Sequence, residues 1–150
     1  MISKKIIYGC EGRGDAGIPY LTRYTLIQRK TWQLCLHVFH RSDHPDFHDH
    51  PWNFWTLVLW RGYIERLPGG KSRRIWPGML LYRPATHAHW VQLHPIYDRN
   101  TQDRAKIGKR LGERTAVTLC LMGRRRRVWG FFTEGSWVTW YNYFIKKGCL

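Results

Sequence analysis

Apolar and polar residues in this 150-residue chain alternate with a period of two, not with the 3.6-residue period of an amphipathic helix. In TAVTLCLM (115–122), Val117, Leu119 and Leu121 alternate with smaller or more polar neighbours, the pattern of a strand with one buried face. KIIY near the start, LTRYTLIQ from Leu21, QLCLHVFH from Gln33, WNFWTLVLW from Trp52 and HAHWVQLH from His87 read the same way. Turn chemistry separates several of them, as in LPGGK (67–71), WPG (76–78) and RPAT (83–86). The pattern predicts roughly eight to ten strands in a small barrel or sandwich. It leaves helix only to short pieces, at 102–111 and 140–145, and makes 95–114 a long loop.

Composition strengthens the β reading, because nine tryptophans, eight tyrosines and six phenylalanines suit a pleated surface. The length fits one domain, residues 1–150, with a single core. Cys10, Cys35, Cys120 and Cys149 form no CxxC pair and no regular framework, so reduced thiols and a cytoplasmic location are expected. MISKKIIYGCEGRGDAG contains no apolar run of signal-peptide length, and no apolar stretch approaches the roughly 20 residues of a membrane-spanning helix. RGD at 13–15 reads as part of a glycine-rich turn. Charge departs furthest from average: 25 Lys and Arg against 10 Asp and Glu give a net +15. Such a surplus attracts anions, from small carboxylates and phosphorylated metabolites to nucleic acid, without selecting among them.

The stretch HPDFHDHPWNFW (44–55) holds the densest candidate chemistry. Residues i and i+2 of a strand point the same way, so His48 and His50 can present two imidazoles to one point. An unbroken strand would continue that face through Trp52, Phe54, Thr56, Val58 and Trp60, setting the histidines at the mouth of an aromatic interior. A metal ion needs such a setting: neutral imidazoles, a fixed approach and little water. HAHWVQL supplies a second pair, His87 and His89, from which a third ligand is expected. One HxH pair is explained by histidines bonding backbone at strand ends, whereas two pairs beside aromatic strand interiors favour a metal. Asp49, of opposite parity, is expected to orient a neighbour or cap the strand start.

These residues resemble the cupins. HDH is followed twelve residues after His50 by Gly62, in WRGYIE, as in the first cupin motif. Gly78, Pro84 and His89 in GMLLYRPATHAH keep the glycine, proline and histidine spacing of the second. HDHPWNFW with RPA and RRVWGFF is also similar to a group of small cupins of bacteria and phages. The resemblance covers residues 48–93 and implies an all-β, cupin-type double-stranded β-helix, with a metal held by His48, His50 and His89. The sequence departs from the pattern at the glutamate slot, which falls at Phe54 or Trp55, and at Leu93, where asparagine is expected. A three-histidine site without a carboxylate is similar to that of thiol dioxygenases. It implies a divalent metal ion, Fe(II) preferred with Zn, Mn or Ni possible, and an Fe(II)-dependent oxygenase acting on a small anionic substrate. The same face holding zinc and water would serve a hydrolase, and related cupins isomerise or only bind. His44 and Asp46 form a competing HxD pair, the pattern of 2-oxoglutarate oxygenases, and rank second because Pro45 marks a loop. His40 and His44 are expected to support the site or to face solvent.

Arginine presents a planar fork to carboxylate or phosphate, which makes Arg83 and Arg127 the expected substrate-positioning groups. Parity in RRRRVWGFF sets Arg125, Arg127 and Trp129 on one face, and Trp129, Tyr63 and Tyr82 are candidates to line the pocket. The alternative function is a basic nucleic-acid or nucleotide-binding module with a structural metal, using GRRRR (123–127), KSRR (71–74) and the basic loop 99–114. No recognised nucleic-acid-binding motif accompanies those runs. A homodimer is the default assembly for a small barrel, and no membrane contact is expected.

Overall fold

The period-two segments fold as strands in a computed structural model that describes residues 1–97 and 110–150. In chain order these are β1 (Ser3–Tyr8), β2 (Pro19–Gln28), β3 (Gln33–Phe39), β4 (Phe47–His48), β5 (Phe54–Trp60), β6 (Tyr63–Leu67) and β7 (Lys71–Ile75). β8 (Leu80–Arg83), β9 (Trp90–Gln92), β10 (Pro95–Tyr97), β11 (Arg110–Glu113), β12 (Ala116–Met122), β13 (Gly130–Thr133) and β14 (Ser136–Thr139) follow, and the helix α1 (Trp140–Lys146) comes last. The strand count exceeds the sequence expectation because prolines and glycines cut several apolar runs into two- to four-residue pieces. The expected strand from His48 to Trp60 is one such case: Pro51 and its neighbours interrupt it, leaving β4 and β5.

A six-stranded antiparallel sheet of order β1-β2-β3-β12-β5-β8 forms one layer. Three-stranded sheets β14-β13-β4 and β7-β6-β9 are bridged to each other where His48 meets His89. The main core cluster joins Val58, Leu81 and Ala116 of the large sheet to Tyr63, Ile75 and Val91 of the β7-β6-β9 sheet, so apolar burial lies between layers. Cys35, Phe54, Cys120 and Met122 form a second cluster, whose Phe54 packs against His50. This is the all-β sandwich that the alternation predicts.

Two further sequence expectations are corrected. Cys10 and Cys149 are not reduced thiols: their sulfurs are bonded, tying the segment before the 3-10 turn Glu11–Arg13 to the end of the chain, while Cys35 and Cys120 are free and buried. The segment 95–114 is not wholly loop, since β10 and β11 pair across it. Residues 98–109, which hold most of the basic loop 99–114 and most of the helix expected at 102–111, lie outside the described residues. The helix expected at 140–145 is present as α1, capped by Thr139, whose hydroxyl accepts from Asn142 N–H. No helix among the described residues is long and apolar enough to cross a membrane.

Candidate metal centre

His48 ends β4, opposite Phe131 of β13. Its N–H donates to the His89 carbonyl at 3.0 Å and its carbonyl accepts from His89 N–H at 3.1 Å, an antiparallel bridge that places the two side chains together. His50 follows two residues later and donates its N–H to the Ala85 carbonyl at 2.9 Å. Ala85 N–H in turn donates to Asn53 Oδ1 at 2.8 Å, locking the turn after β8 against the break between β4 and β5. One ring nitrogen from each of His48, His50 and His89 lies within 4.8 Å of the others, and the ring centroids are 4.9–5.3 Å apart.

The donor set suits a metal ion. Burial holds His50 well below the usual imidazole range, and the neighbouring His89, His48 and His87 push it further down. Burial also takes His89 down to about 4, with the Glu65 hydrogen bond opposing. These two rings are therefore neutral at pH 7 and carry a lone pair. His50 Nδ1 is buried with no hydrogen-bond partner among the described residues, which fits a ligand atom awaiting an acceptor of its lone pair.

Behind His89 stands Glu65 of β6, 1% exposed. His89 Nδ1 donates to Glu65 Oε1 at 2.6 Å and His87 Nε2 donates to the same oxygen at 2.8 Å. Arg83 Nη2 donates to Oε2 at 2.5 Å. Burial would raise this carboxyl, but the two imidazoles and Arg83 hold it well below the usual carboxylate range. An ionised carboxylate only accepts, so the proton sits on His89 Nδ1 and Nε2 is left to face a metal. Glu65, His87 and His89 also form a metal-compatible group. Their hydrogen-bond distances and the guanidinium against Glu65 favour an orienting role for the carboxylate over ligation.

The other sequence candidates fall around this centre. Arg83 is buried and turned to Glu65. Arg127 Nη1 donates to Asp49 Oδ2 at 2.6 Å and its side chain is one-third exposed. The parity assigned to it does not apply, because strand geometry begins only at Gly130. Trp129 packs edge-on to His48 with centroids 6.3 Å apart and stacks on Trp140 of α1. Asp49 is buried and accepts from Arg127, Gly130 N–H and Trp137 Nε1, so it joins β4 to β13 and β14 and stands outside the three-histidine group. His44 and Asp46 are paired at 3.1 Å and face Tyr143, whose hydroxyl donates to Asp46 at 2.6 Å. Neither belongs to a metal-compatible group among the described residues. His40 bonds Thr22 at 2.8 Å. Tyr63 is core, whereas Tyr82 lies on the outer face of the large sheet against Trp55.

Glu65 was not anticipated. Its signal lay in YIERL, where the inward parity of Tyr63 also selects Glu65, a charged residue at a buried position. Such a residue needs partners, and the cross-strand pairing of Glu65 with Val91 brings it beside His89.

No protein-family profile matches the chain, and no curated protein matches it in sequence. Solved structures do share its fold. A cupin-2 domain protein from Rhodospirillum rubrum, Rru_A2000, is 14% identical with a TM-score of 0.57, covering 89% of this chain and 76% of that one. The DMSP lyase DddQ from Ruegeria pomeroyi DSS-3 is 16% identical with a TM-score of 0.52, covering 91% of this chain and 61% of that one. KdgF from Halomonas sp. is 16% identical with a TM-score of 0.50, over 80% of this chain and 89% of that one. At these identities the likeness is one of fold, and the fold is the cupin double-stranded β-helix.

Proposed function

We propose that this cupin-fold protein binds one iron(II) ion through His48, His50 and His89 and acts as an oxygenase on a small anionic compound. The observation that carries the reading is a set of three convergent imidazoles whose nearest carboxylate, Glu65, is committed to His89, His87 and Arg83. When bound, the metal would supply electrons for dioxygen chemistry and open positions for substrate and dioxygen. The chain's own residues do the rest. Glu65 fixes the tautomer of His89. Phe54 packs against His50, and Phe131 and Trp129 pack against His48, so aromatic rings border the partly exposed imidazoles. Glu65 and Asp49 are each matched by an arginine, so neither repels an anion, and the +15 net charge raises anion concentration at the molecule.

Oxygen uptake tests this. Protein reconstituted anaerobically with Fe(II), Mn, Ni or Zn is presented with panels of thiols and small carboxylates, beside a His89→Ala variant. Uptake that depends on substrate and Fe(II) and is lost in the variant supports the oxygenase. Absence of uptake together with zinc-dependent hydrolysis of esters or amides would move the same site to hydrolytic chemistry.

A further inference from the structure

The large sheet has an unusual distribution of side chains between its two faces. Its inner face is buried and mixed, with apolar Phe54, Val58 and Leu81 beside polar His37, Thr56 and Thr118. The face turned away from the core carries leucine and aromatic rungs. One rung runs Leu34, Leu121, Trp55, Tyr82 across β3, β12, β5 and β8. The next runs Leu36, Leu119, Leu57, Leu80 across the same strands. Val38 beside Val117 begins a third. Leu80 is 61% exposed and Tyr82 47%, and a shallow groove of about 400 Å³ between the rungs is lined by leucines and Trp55 alone. In a sheet wetted on one side the outer positions are polar; here they are apolar, as are Phe54, Val58 and Leu81 on the inner side.

We infer that this face packs against the same face of a second copy of the chain, forming a two-fold dimer of stacked sheets. Four strands at about 4.8 Å and three rungs at about 7 Å give a patch on the order of 400 Å² in projection, at the upper range of what monomers expose. With its flanks, the accessible area approaches the roughly 800 Å² per partner of a stable interface. Charge selects the occupant. None of the rung residues is charged, so an acidic partner or a nucleic acid finds nothing to pair with there. Two copies of a +15 chain, in contrast, avoid mutual repulsion only by meeting through an uncharged face. Lys4 of β1, opposite Tyr24, marks the margin of this face two strands beyond Leu36, and the exposed cations Lys71, Arg73 and Arg74 sit on β7, in a different sheet. Three of the four strands under the patch, β3, β12 and β5, are hydrogen-bonded on both sides, with β8 at the sheet edge, which suits sheet-on-sheet packing at about 10 Å better than insertion into lipid. This inference is independent of the metal chemistry.

Sedimentation equilibrium on the full chain tests it. The expected result is a dimer at micromolar concentration that tightens with added salt, since screening relieves like-charge repulsion. Leu80→Glu with Leu121→Glu is expected to give a monomer with unchanged metal content, and Arg73→Glu to remain a dimer. If the double variant does not fold, Leu80→Glu alone carries the test, with at least a tenfold weaker dimer expected. A monomeric wild type, a dimer that survives these substitutions, or a dimer that dissociates with salt would overturn the inference. So would a wild type that stays monomeric yet binds phosphatidylcholine vesicles through Leu80 and Leu121.

Discussion

Glu65 illustrates how a buried charge is retained: two imidazoles and one guanidinium satisfy a carboxylate that burial alone would neutralise. A Glu65→Gln variant keeps the shape but loses the charged acceptor for His89, so metal affinity is expected to fall about 10- to 100-fold in competition with a chromophoric chelator. Unchanged affinity would show that His89 needs no carboxylate to orient it. Histidines set the acid sensitivity. Burial, aided by Arg23, holds His37 down at about 3, and burial holds His89 at about 4 against the pull of Glu65. The unfolded chain protonates both near 6.5. Below that pH the unfolded state binds more protons than the fold, so stability falls as pH drops from about 6.5 through these lowered values. The urea midpoint of metal-free protein should therefore fall between pH 7 and pH 4, less steeply in His37→Gln, and a flat midpoint would contradict the assignment. The i and i+2 spacing of His48 and His50 was readable because it is local. Glu65 was not, because its approach to His89 depends on the register between β6 and β9.

At the scale of elements, glycines and prolines decide where pattern stops being structure. Gly62 sits at φ 70° between β5 and β6, and a Cβ there would lie 2.1 Å from the Ile75 carbonyl oxygen. Gly78 has φ 89° but open space around it. Gly78→Ala is expected to cost roughly 1–2 kcal/mol for the left-handed backbone alone. Gly62→Ala should cost clearly more, because β7 must also move, and denaturation midpoints compare the two. Equal costs would mean that the close approach to β7 is easily relieved. The alternation in β3, β5 and β12 was legible because each strand runs seven residues. Parity failed at 124–129, where the chain carries arginines without strand geometry, so Arg127 reaches Asp49 by a path that period two does not describe. Strands of two or three residues, such as β4 and β9, are too short to show a period and owe their position to the His48–His89 bridge.

Over the whole molecule, the Cys10–Cys149 bond closes a loop with a sequence separation of 139. Chain-entropy reasoning assigns such a crosslink about 5 kcal/mol, so Cys149→Ser should lower the melting temperature markedly, and equal melting with and without reductant would contradict the bond. The cysteine pattern could not reveal it, because the pairing depends on the two ends of the chain meeting in space. Net charge, legible at once, constrains partners without naming them. If the cationic strand β7 binds nucleic acid, affinity must fall steeply between low and moderate salt, and absence of binding at low salt would leave those residues as protection for an exposed sheet edge. The proposed function rests on three histidines, brought together by the fold, holding one metal ion. Its most direct test is metal content per chain by elemental analysis, on protein purified without chelator or nickel affinity, beside His50→Ala. One divalent ion per chain, lost in the variant, is the expected result. No metal after anaerobic reconstitution with each candidate ion, or equal metal in the variant, would contradict it.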